Sequence, residues 1–572
     1  MQPAILSGGR DSTVGREVRD PPCQSWATKE EMEIELKFQV SAASRAAVQR
    51  AVATARARTV RLQAHYFDTP DGDLAREAVA LRLRREDGLW LQTLKAAGPD
   101  GLHRLEHNVP LGRARAAQPP PLQLDRHDGH PAAGALQRAL QRAGGAMPLE
   151  RYGTVIRRTL REVSVPGARV ELAFDEGWIQ AGDRRVPVCE LELELLRGDT
   201  GALLALAERW TRRFPLVLDV RTKSERGHWL ALQRDGVPPQ AAAAVVGVAA
   251  AASGAASAPE AVVDMLRAAL RPALANASQI AAGPSEPEHL HQLRVAVRRL
   301  MTVLHVFPAF VPSEVQALMA PLRELQHELG RARDMDVLAA PLRQAWQAAG
   351  ATAQQAAAWF DALGVLGAHV HADAQPGADA AAGDVSAVQC LASARTQQLW
   401  LRLLAATLPR AAAADAAGGP VAPLDQVLLP LERLYRQVRR DAGRAEALDD
   451  DGLHRLRRRI KRLRYAIECV DTWLPHKRGQ ALLRSLRGAQ EALGQWHDAV
   501  IGQAAARKLA ESAGVPVVPA QWVAVGWLAA QAEQHRRRCV RELAAWATPS
   551  RARHARKAWR AAARRMQQAQ GH

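Results

Sequence analysis

Residues 33–40 (EIELKFQV) alternate polar and apolar side chains, as do 79–85 (VALRLRR), 170–175 (VELAFD) and 189–196 (CELELELL). A period of two belongs to a β-strand, whose successive side chains point to opposite faces. Segment 89–95 (LWLQTLK) is strand-like by composition. Turns follow from Pro70-Asp71-Gly72, Asp87-Gly88 and Gly98-Pro99-Asp100-Gly101. Helical spacing appears at 42–56 and 200–213, between the strands. From about residue 260 the period becomes helical throughout, in Ala/Leu/Arg-rich segments broken by Ala-rich stretches near 371–388 and 411–422. The pattern predicts an α+β chain. A flexible polar leader covers 1–29, a β-rich domain 30–233, a Pro/Ala/Gly/Ser-rich linker 234–259 and an all-α helical bundle 260–572.

The helical half repeats itself. His291-Gln-Leu-Arg294-Val-Ala-Val-Arg298-Arg299-Leu300 matches His454-Arg-Leu-Arg457-Arg-Arg-Ile-Lys461-Arg462-Leu463 at an offset of 163 residues. Leu329-Gly330-Arg-Ala-Arg333-Asp334 matches Leu493-Gly494-Gln-Trp-His497-Asp498 at an offset of 164. Two separate motifs recurring in register predict two related helical halves.

Composition narrows the class. Of 572 residues, 48% are hydrophobic and 24% charged, which excludes global disorder and a disulfide scaffold. No run of about 18 uncharged apolar residues is present; the Ala-rich 241–256 is the nearest approach and lacks Leu and Ile. The net charge of +18 is uneven: residues 1–250 hold 36 basic and 31 acidic groups, residues 251–572 hold 41 and 28. The excess in the second half predicts a polyanionic partner there. Five scattered cysteines, never in CxxC spacing, suit the reducing cytoplasm and give no zinc site.

The strands of the first half carry the chemistry. Glu33, Glu35 and Lys37 share one strand face, and Glu190, Glu192 and Glu194 another; Asp175 shares a face with Glu171. Arg82 and Arg84 do the same with cations, while Lys95, Arg104, Arg157 and Lys223 lie on or beside other strands. A solvated sheet face accounts for any single Glu-x-Glu. Acidic and basic faces around one cavity would instead suit a metal-bound phosphate chain, carboxylates holding Mg²⁺ or Mn²⁺ and Arg and Lys the phosphate oxygens. No P-loop, nucleophile elbow or HExxH motif supports another enzyme class.

Glu33-Ile-Glu35-Leu-Lys37 resembles the ExExK signature of CYTH domains, the triphosphate tunnel metalloenzymes. The resemblance continues through His65-Tyr-Phe-Asp-Thr-Pro70, Leu81-Arg82-Leu-Arg84, Thr93-Leu-Lys95, Gly101-Leu-His-Arg104-Leu-Glu106, Phe174-Asp175-Glu-Gly177, 189–195 and Lys223-Ser-Glu-Arg-Gly227. It implies an eight-stranded antiparallel β-barrel around a tunnel, and metal-dependent hydrolysis of inorganic triphosphate to diphosphate and phosphate. Carried over residue by residue, Glu33, Glu35, Asp175 and two of Glu190, Glu192 and Glu194 hold the metal. Arg82, Arg84, Arg157 and Lys223 bind phosphates, with Arg104 as either a phosphate ligand or half of an ion pair with Glu106. Lys37 and Lys95 are the catalytic lysines, Lys37 binding phosphate or placing the attacking water. Two alternatives remain: a nucleotide-acting enzyme of the adenylate cyclase or thiamine triphosphatase type, and a polyphosphate-binding, granule-targeting protein with an inactive barrel.

The second half resembles a CHAD domain through its repeated His-x-x-Arg-x-x-x-Arg/Lys and Leu-Gly-x-x-x-Asp elements. On a helix His291, Arg294 and Arg298 share a face, with Arg299 beside them; so do His454, Arg457, Lys461 and Arg464, with Arg458 and Arg462 beside those. Residues 454–464 hold eight Arg, Lys or His in eleven positions and no acid. A linear polyanion without base readout fits best, because aromatics are only 4% of the chain and single-stranded nucleic acid wants stacking platforms. The resemblance points to inorganic polyphosphate, and to a cytoplasmic protein associated with polyphosphate granules and with no membrane contact.

Overall fold

The computed structural model describes residues 32–97, 103–113, 118–242, 257–331, 334–370, 382–408, 422–512 and 518–570. The expected leader and most of the expected linker and Ala-rich breaks lie outside the described residues.

The N-terminal half is one antiparallel sheet of β1 (Met32–Val40), β2 (Arg58–Asp68), β3 (Val79–Glu86), β4 (Leu89–Ala97), β5 (His103–Arg113), β6 (Leu149–Val165), β7 (Ala168–Ala181), β8 (Arg184–Gly198) and β9 (Leu216–Leu218). The strand order is β5-β4-β3-β2-β6-β7-β8-β1-β9. The start of β1 also pairs with β5, Glu33 opposite Arg104, so the sheet curls round a common interior. Among the described residues the count is nine, not the expected eight. β1 parts from β5 after Ile34, and the short β9 takes up its free edge along Phe38–Val40.

The alternation places apolar side chains on the outside of this barrel-like sheet. Leu36, Phe38, Leu172, Phe174, Leu191 and Leu193 are buried there, in one core with Val48 and Val52 of helix Ala42–Val52 and Leu203 and Ala207 of helix Thr200–Arg213. Each large side chain so buried contributes roughly 1.5–3 kcal/mol. Ser41 caps the first of these helices, its Oγ accepting from the Ser44 amide, and Asp199 caps the second. With that face outward, the inner face carries the charged positions, beside Leu62 and Ala64 of β2 and Ile156 and Leu160 of β6.

The same core runs on into the helical half, through Leu270, Leu274, Leu399 and Leu403. Polar ties reinforce the join. The Leu218 amide donates to Gln397 Oε1 (2.8 Å), the Val220 amide to Ser278 Oγ (3.2 Å) and Arg221 Nη1 to Gln279 Oε1 (2.7 Å). The described start of the linker is pinned along the helices as well: the Val237, Gln240 and Ala242 amides donate to Gln279, Asn276 and Gln292.

In the helical half, Ala258–Ala282 pairs with Pro287–Val306, and Pro287–Val306 packs on Asp450–Glu468, which leads into the 35-residue His476–Ala510. Leu293, Val297 and Leu300 are buried on one repeat and Leu456, Ile460 and Leu463 on the other. The two repeated motifs thus come together through their apolar stripes. Among the described residues no helix is long and apolar enough to cross a membrane.

Helix Lys223–Ala231 packs directly on the barrel wall. Thr222 caps it, its Oγ1 accepting from the Glu225 amide (2.8 Å). A Cβ on Gly227 would lie 2.2 Å from the Tyr152 ring, which is itself stacked on Tyr66 with centroids 4.8 Å apart. Because that ring is boxed in, Gly227→Ala is expected to destabilise the protein by about 1–3 kcal/mol, read as a lowered thermal midpoint. An unchanged midpoint would show that the helix is free to lift away.

Candidate functional site

The inner face of the barrel surrounds a cavity of about 810 Å³. Lys37 and Glu35 reach it from β1, Arg82 and Arg84 from β3, Lys95 from β4, and Arg104 and Glu106 from β5. β6 supplies Arg158, β7 Glu171 and Asp175, and β8 Glu192 and Glu194; helix Lys223–Ala231 adds Lys223 and Glu225. Ten of the expected site residues therefore meet in one space. They are joined by residues that were not among the expected site residues: Tyr66, Glu106, Arg158 and Glu171.

One end of this space is an ion cluster. Lys223 Nζ lies 2.9 Å from Asp175, 2.8 Å from Glu190 and 2.6 Å from Glu192. Arg158 holds Asp175 through two bonds of 2.7 Å and also reaches Glu192. Arg226 closes on Glu190 from the other side. These neighbours overcome the effect of burial: Glu192 and Glu190 are held below the usual carboxylate range, and the Lys223 ammonium is raised well above its ordinary value by Asp175, Glu190 and Glu192. Asp175 and Glu190 are thus neutralised by the protein's own cations.

Among the described residues Glu171 and Glu194 have no such ion-pair partner. Burial pushes Glu194 up to about 7, reinforced by Glu171 and Glu35 and only partly offset by Lys95. Glu171 is raised by burial too. Among the described residues no three acidic, imidazole or thiol groups are gathered tightly enough to hold a metal by themselves. Mg²⁺, however, is commonly held by one or two carboxylates completed by water and substrate oxygens. Glu35, Glu171 and Glu194 are hard oxygen donors whose mutual repulsion a divalent cation would relieve, so they fit such an ion. The side chain of Glu33 lies outside the described residues.

The opposite wall is cationic. Arg82 Nη1 donates to the Tyr66 hydroxyl (3.2 Å), Lys95 pairs with Glu106 (2.6 Å) and Arg84 with Glu86 (3.4 Å). Burial lowers the Arg84 pKa, and the neighbouring Arg82 lowers it further. Arg104 approaches Glu35 at 4.0 Å, and Lys37 Nζ donates to the Arg221 carbonyl. Arg157 departs from the expectation. It faces outward and pairs with Glu176 (2.5 Å), because strand alternation turns Arg158 inward in its place.

The repeated helices divide their cations. Burial lowers Lys461 to about 7, followed by Arg457 and Arg298, so the cations of the two repeats face each other. Arg457 is lowered by burial and by Arg298. His497, 4.8 Å from His454 between ring centroids, is pushed down to about 4 by burial, Arg457 and His454. Among the described residues Arg298, Arg457 and Lys461 make no ion pair, and the Nε groups of Arg298, Arg457 and Arg464 are buried without an acceptor. His291 and Arg294 lie on the same helix as Arg298, partly exposed. Two residues fall away from this cluster. Arg299 is buried against Glu468 (2.6 Å), an ion pair between the two repeats. Arg462 is crowded by Arg458, Arg459 and Arg323 on another side of its helix. A helix turns about 100° per residue, so neighbours in sequence part in space.

The fold thus sets a charged cavity inside an antiparallel barrel and joins it to a duplicated basic helical half. Residues 31–227 match the CYTH domain and residues 264–507 the CHAD domain; the chain carries one of each. An inorganic triphosphatase of Haemophilus influenzae is 31% identical over 168 residues, 29% of this chain and 44% of that protein. The match thus spans less than half the relative's length. The CHAD domain of the plant Ricinus communis is 28% identical at a TM-score of 0.40, covering 50% of this chain and 92% of that one. A Hippeastrum protein described as an adenylyl cyclase candidate with dominant triphosphatase activity is 19% identical at a TM-score of 0.25, covering 35% and 96%.

Removing Lys223 leaves three buried carboxylates facing one another. Lys223→Met is expected to cost about 3–5 kcal/mol in urea unfolding at pH 7. Adding Glu192→Gln should recover part of the loss. Equal stability of wild type and Lys223→Met would mean that the ammonium is not the keystone of the cluster.

Proposed function

We propose that the barrel hydrolyses inorganic triphosphate to diphosphate and phosphate, and that the helical half binds inorganic polyphosphate. The observation that carries the first part is the opposition of two walls in one cavity, Arg82, Arg84 and Lys95 facing Glu35, Glu171 and Glu194. A neutral ligand has no use for that separation, whereas a phosphate chain needs cations along its oxygens. The similarity to the Haemophilus influenzae inorganic triphosphatase supports the same reaction.

In this reading Arg82, Arg84, Arg104 and Lys95 bind and orient the phosphate chain. Lys37, fixed by the Arg221 carbonyl, stands where it can hold a phosphate oxygen or the attacking water. Lys223 and Arg158, set by Asp175, Glu190 and Glu192, supply a fixed positive field at the other end. Mg²⁺ or Mn²⁺ held by one or two of Glu35, Glu171 and Glu194, with water and substrate oxygens, would supply Lewis-acid neutralisation of the phosphate oxygens. Positioning and electrostatics then provide most of the rate, with no covalent step on the protein. Phosphate release from triphosphate, with metal and not with EDTA, is the expected outcome, and Glu35→Ala or Arg84→Ala should lower kcat/KM by about 100-fold or more. Preference for ATP would make the barrel a nucleotide enzyme. No turnover, with polyphosphate still bound, would leave an idle barrel in a polyphosphate-binding protein.

Polyphosphate binding rests on the unpaired Arg298, Arg457 and Lys461 where the repeats meet. We place the protein in the cytoplasm, beside polyphosphate granules. The groups facing Lys461 are Arg298, Arg457, Arg464 and Asp498. Free Lys461 loses its proton near pH 7, and a bound polyanion restores it. Affinity for long-chain polyphosphate should therefore fall as pH rises from about 7 to 9, by up to about tenfold per unit. Lys461→Gln should flatten that slope in a binding titration. An unchanged slope in the variant would remove Lys461 from the site.

A further inference from the structure

The cavity of the barrel is lined by one residue of the helical domain, Arg271, together with Val220, Thr222 and Lys223. Arg271 lies on helix Ala258–Ala282, two turns before Ser278. Ser278 Oγ accepts from the Val220 amide (3.2 Å) and donates to the Leu218 carbonyl (3.3 Å). Residues seven apart share a helix face, so Arg271 lies on the stripe that docks against the barrel. It is exposed, which sets it where the cavity meets solvent. Among the described residues it has no ion-pair or hydrogen-bond partner. The preceding arginine of the same helix, Arg267, is by contrast tied to Asp264 and to the Thr407 carbonyl (2.5 Å).

We propose that Arg271 is a substrate-contacting residue supplied by the helical domain. It holds the part of a linear phosphate chain that projects from the cavity mouth, so that chains longer than three phosphates are favoured. The proposal rests on the triphosphatase reading and extends it to a substrate length. Each added phosphate carries its own negative charge, and an arginine fork binds such oxygens in pairs. An arginine at the mouth therefore acts on what lies beyond the phosphates inside.

The test uses the full chain and linear inorganic phosphates of three, four and more units. Arg271→Ala should lower kcat/KM for the longer chains about fivefold more than for triphosphate, mainly through KM. Arg271→Glu should deepen the loss and Arg271→Lys restore part of it. Arg507→Ala, which breaks an exposed pair with Glu511 far along the chain, should leave the ratio of long to short substrates alone. An equal effect of Arg271→Ala on all chain lengths, or none, overturns the assignment while leaving the triphosphatase reading intact. If the wild type hydrolyses no triphosphate, that reading fails by itself. Calorimetric titration with the same phosphates then decides Arg271: a weaker affinity for the longer chains in Arg271→Ala upholds it, and equal affinities overturn it.

Discussion

The interior of this barrel exists because one ammonium group sits among three carboxylates. Asp175, Glu190 and Glu192 approach one another on adjacent strands β7 and β8, nearly out of reach of water. Three buried anions at that spacing would repel each other strongly, and burial alone would force protons onto them. Lys223, with Arg158 and Arg226 beside it, makes the arrangement possible. The acids in turn fix the direction of the cations that a phosphate chain would meet.

The charged positions of β1, β7 and β8 face inward, so the apolar positions of these strands face outward, and that shapes the rest of the chain. The sheet buries its outer face under helices Ala42–Val52 and Thr200–Arg213, and the helical domain continues the same core. The segment from β9 to Lys223 lies at the join. The Asp219 amide donates to the Lys37 carbonyl (2.8 Å), Asp219 holds Arg221, and Arg221 reaches Gln279 of the helical domain. Lys37, Lys223 and the second domain are thus linked through a stretch of about seven residues.

The helical half shows the complementary solution. Its duplicated helices meet through buried leucines and the buried Arg299–Glu468 pair, and this apolar and ionic clamp holds Arg298 close to Arg457 and Lys461. The cations are crowded rather than neutralised. Burial and like charge lower Lys461 and His497, and an anion would reverse both effects.

Much of this was legible before any fold was known. Period-two alternation marked Glu35 with Lys37, Arg82 with Arg84, and Glu190 with Glu192 and Glu194 as sets sharing a face, and the repeated His-x-x-Arg motif marked the duplication. Those are local properties, fixed by where one backbone sends successive side chains. Local geometry does not say which face becomes the inside. Arg157 and Arg158 differ by one position, and only the packing of the whole sheet turned Arg158 inward and left Arg157 with Glu176. Nor does it say which charges find partners: Asp175 and Glu190 met Lys223, Glu194 did not, and Arg299 met Glu468 across 169 residues of chain. The sequence by itself determined the elements, their charged faces and their chemistry. The tertiary structure alone decided which charges neutralise one another and which remain for a ligand, because ionic partnership depends on distance through space and on exclusion of water, and neither is a property of neighbouring residues.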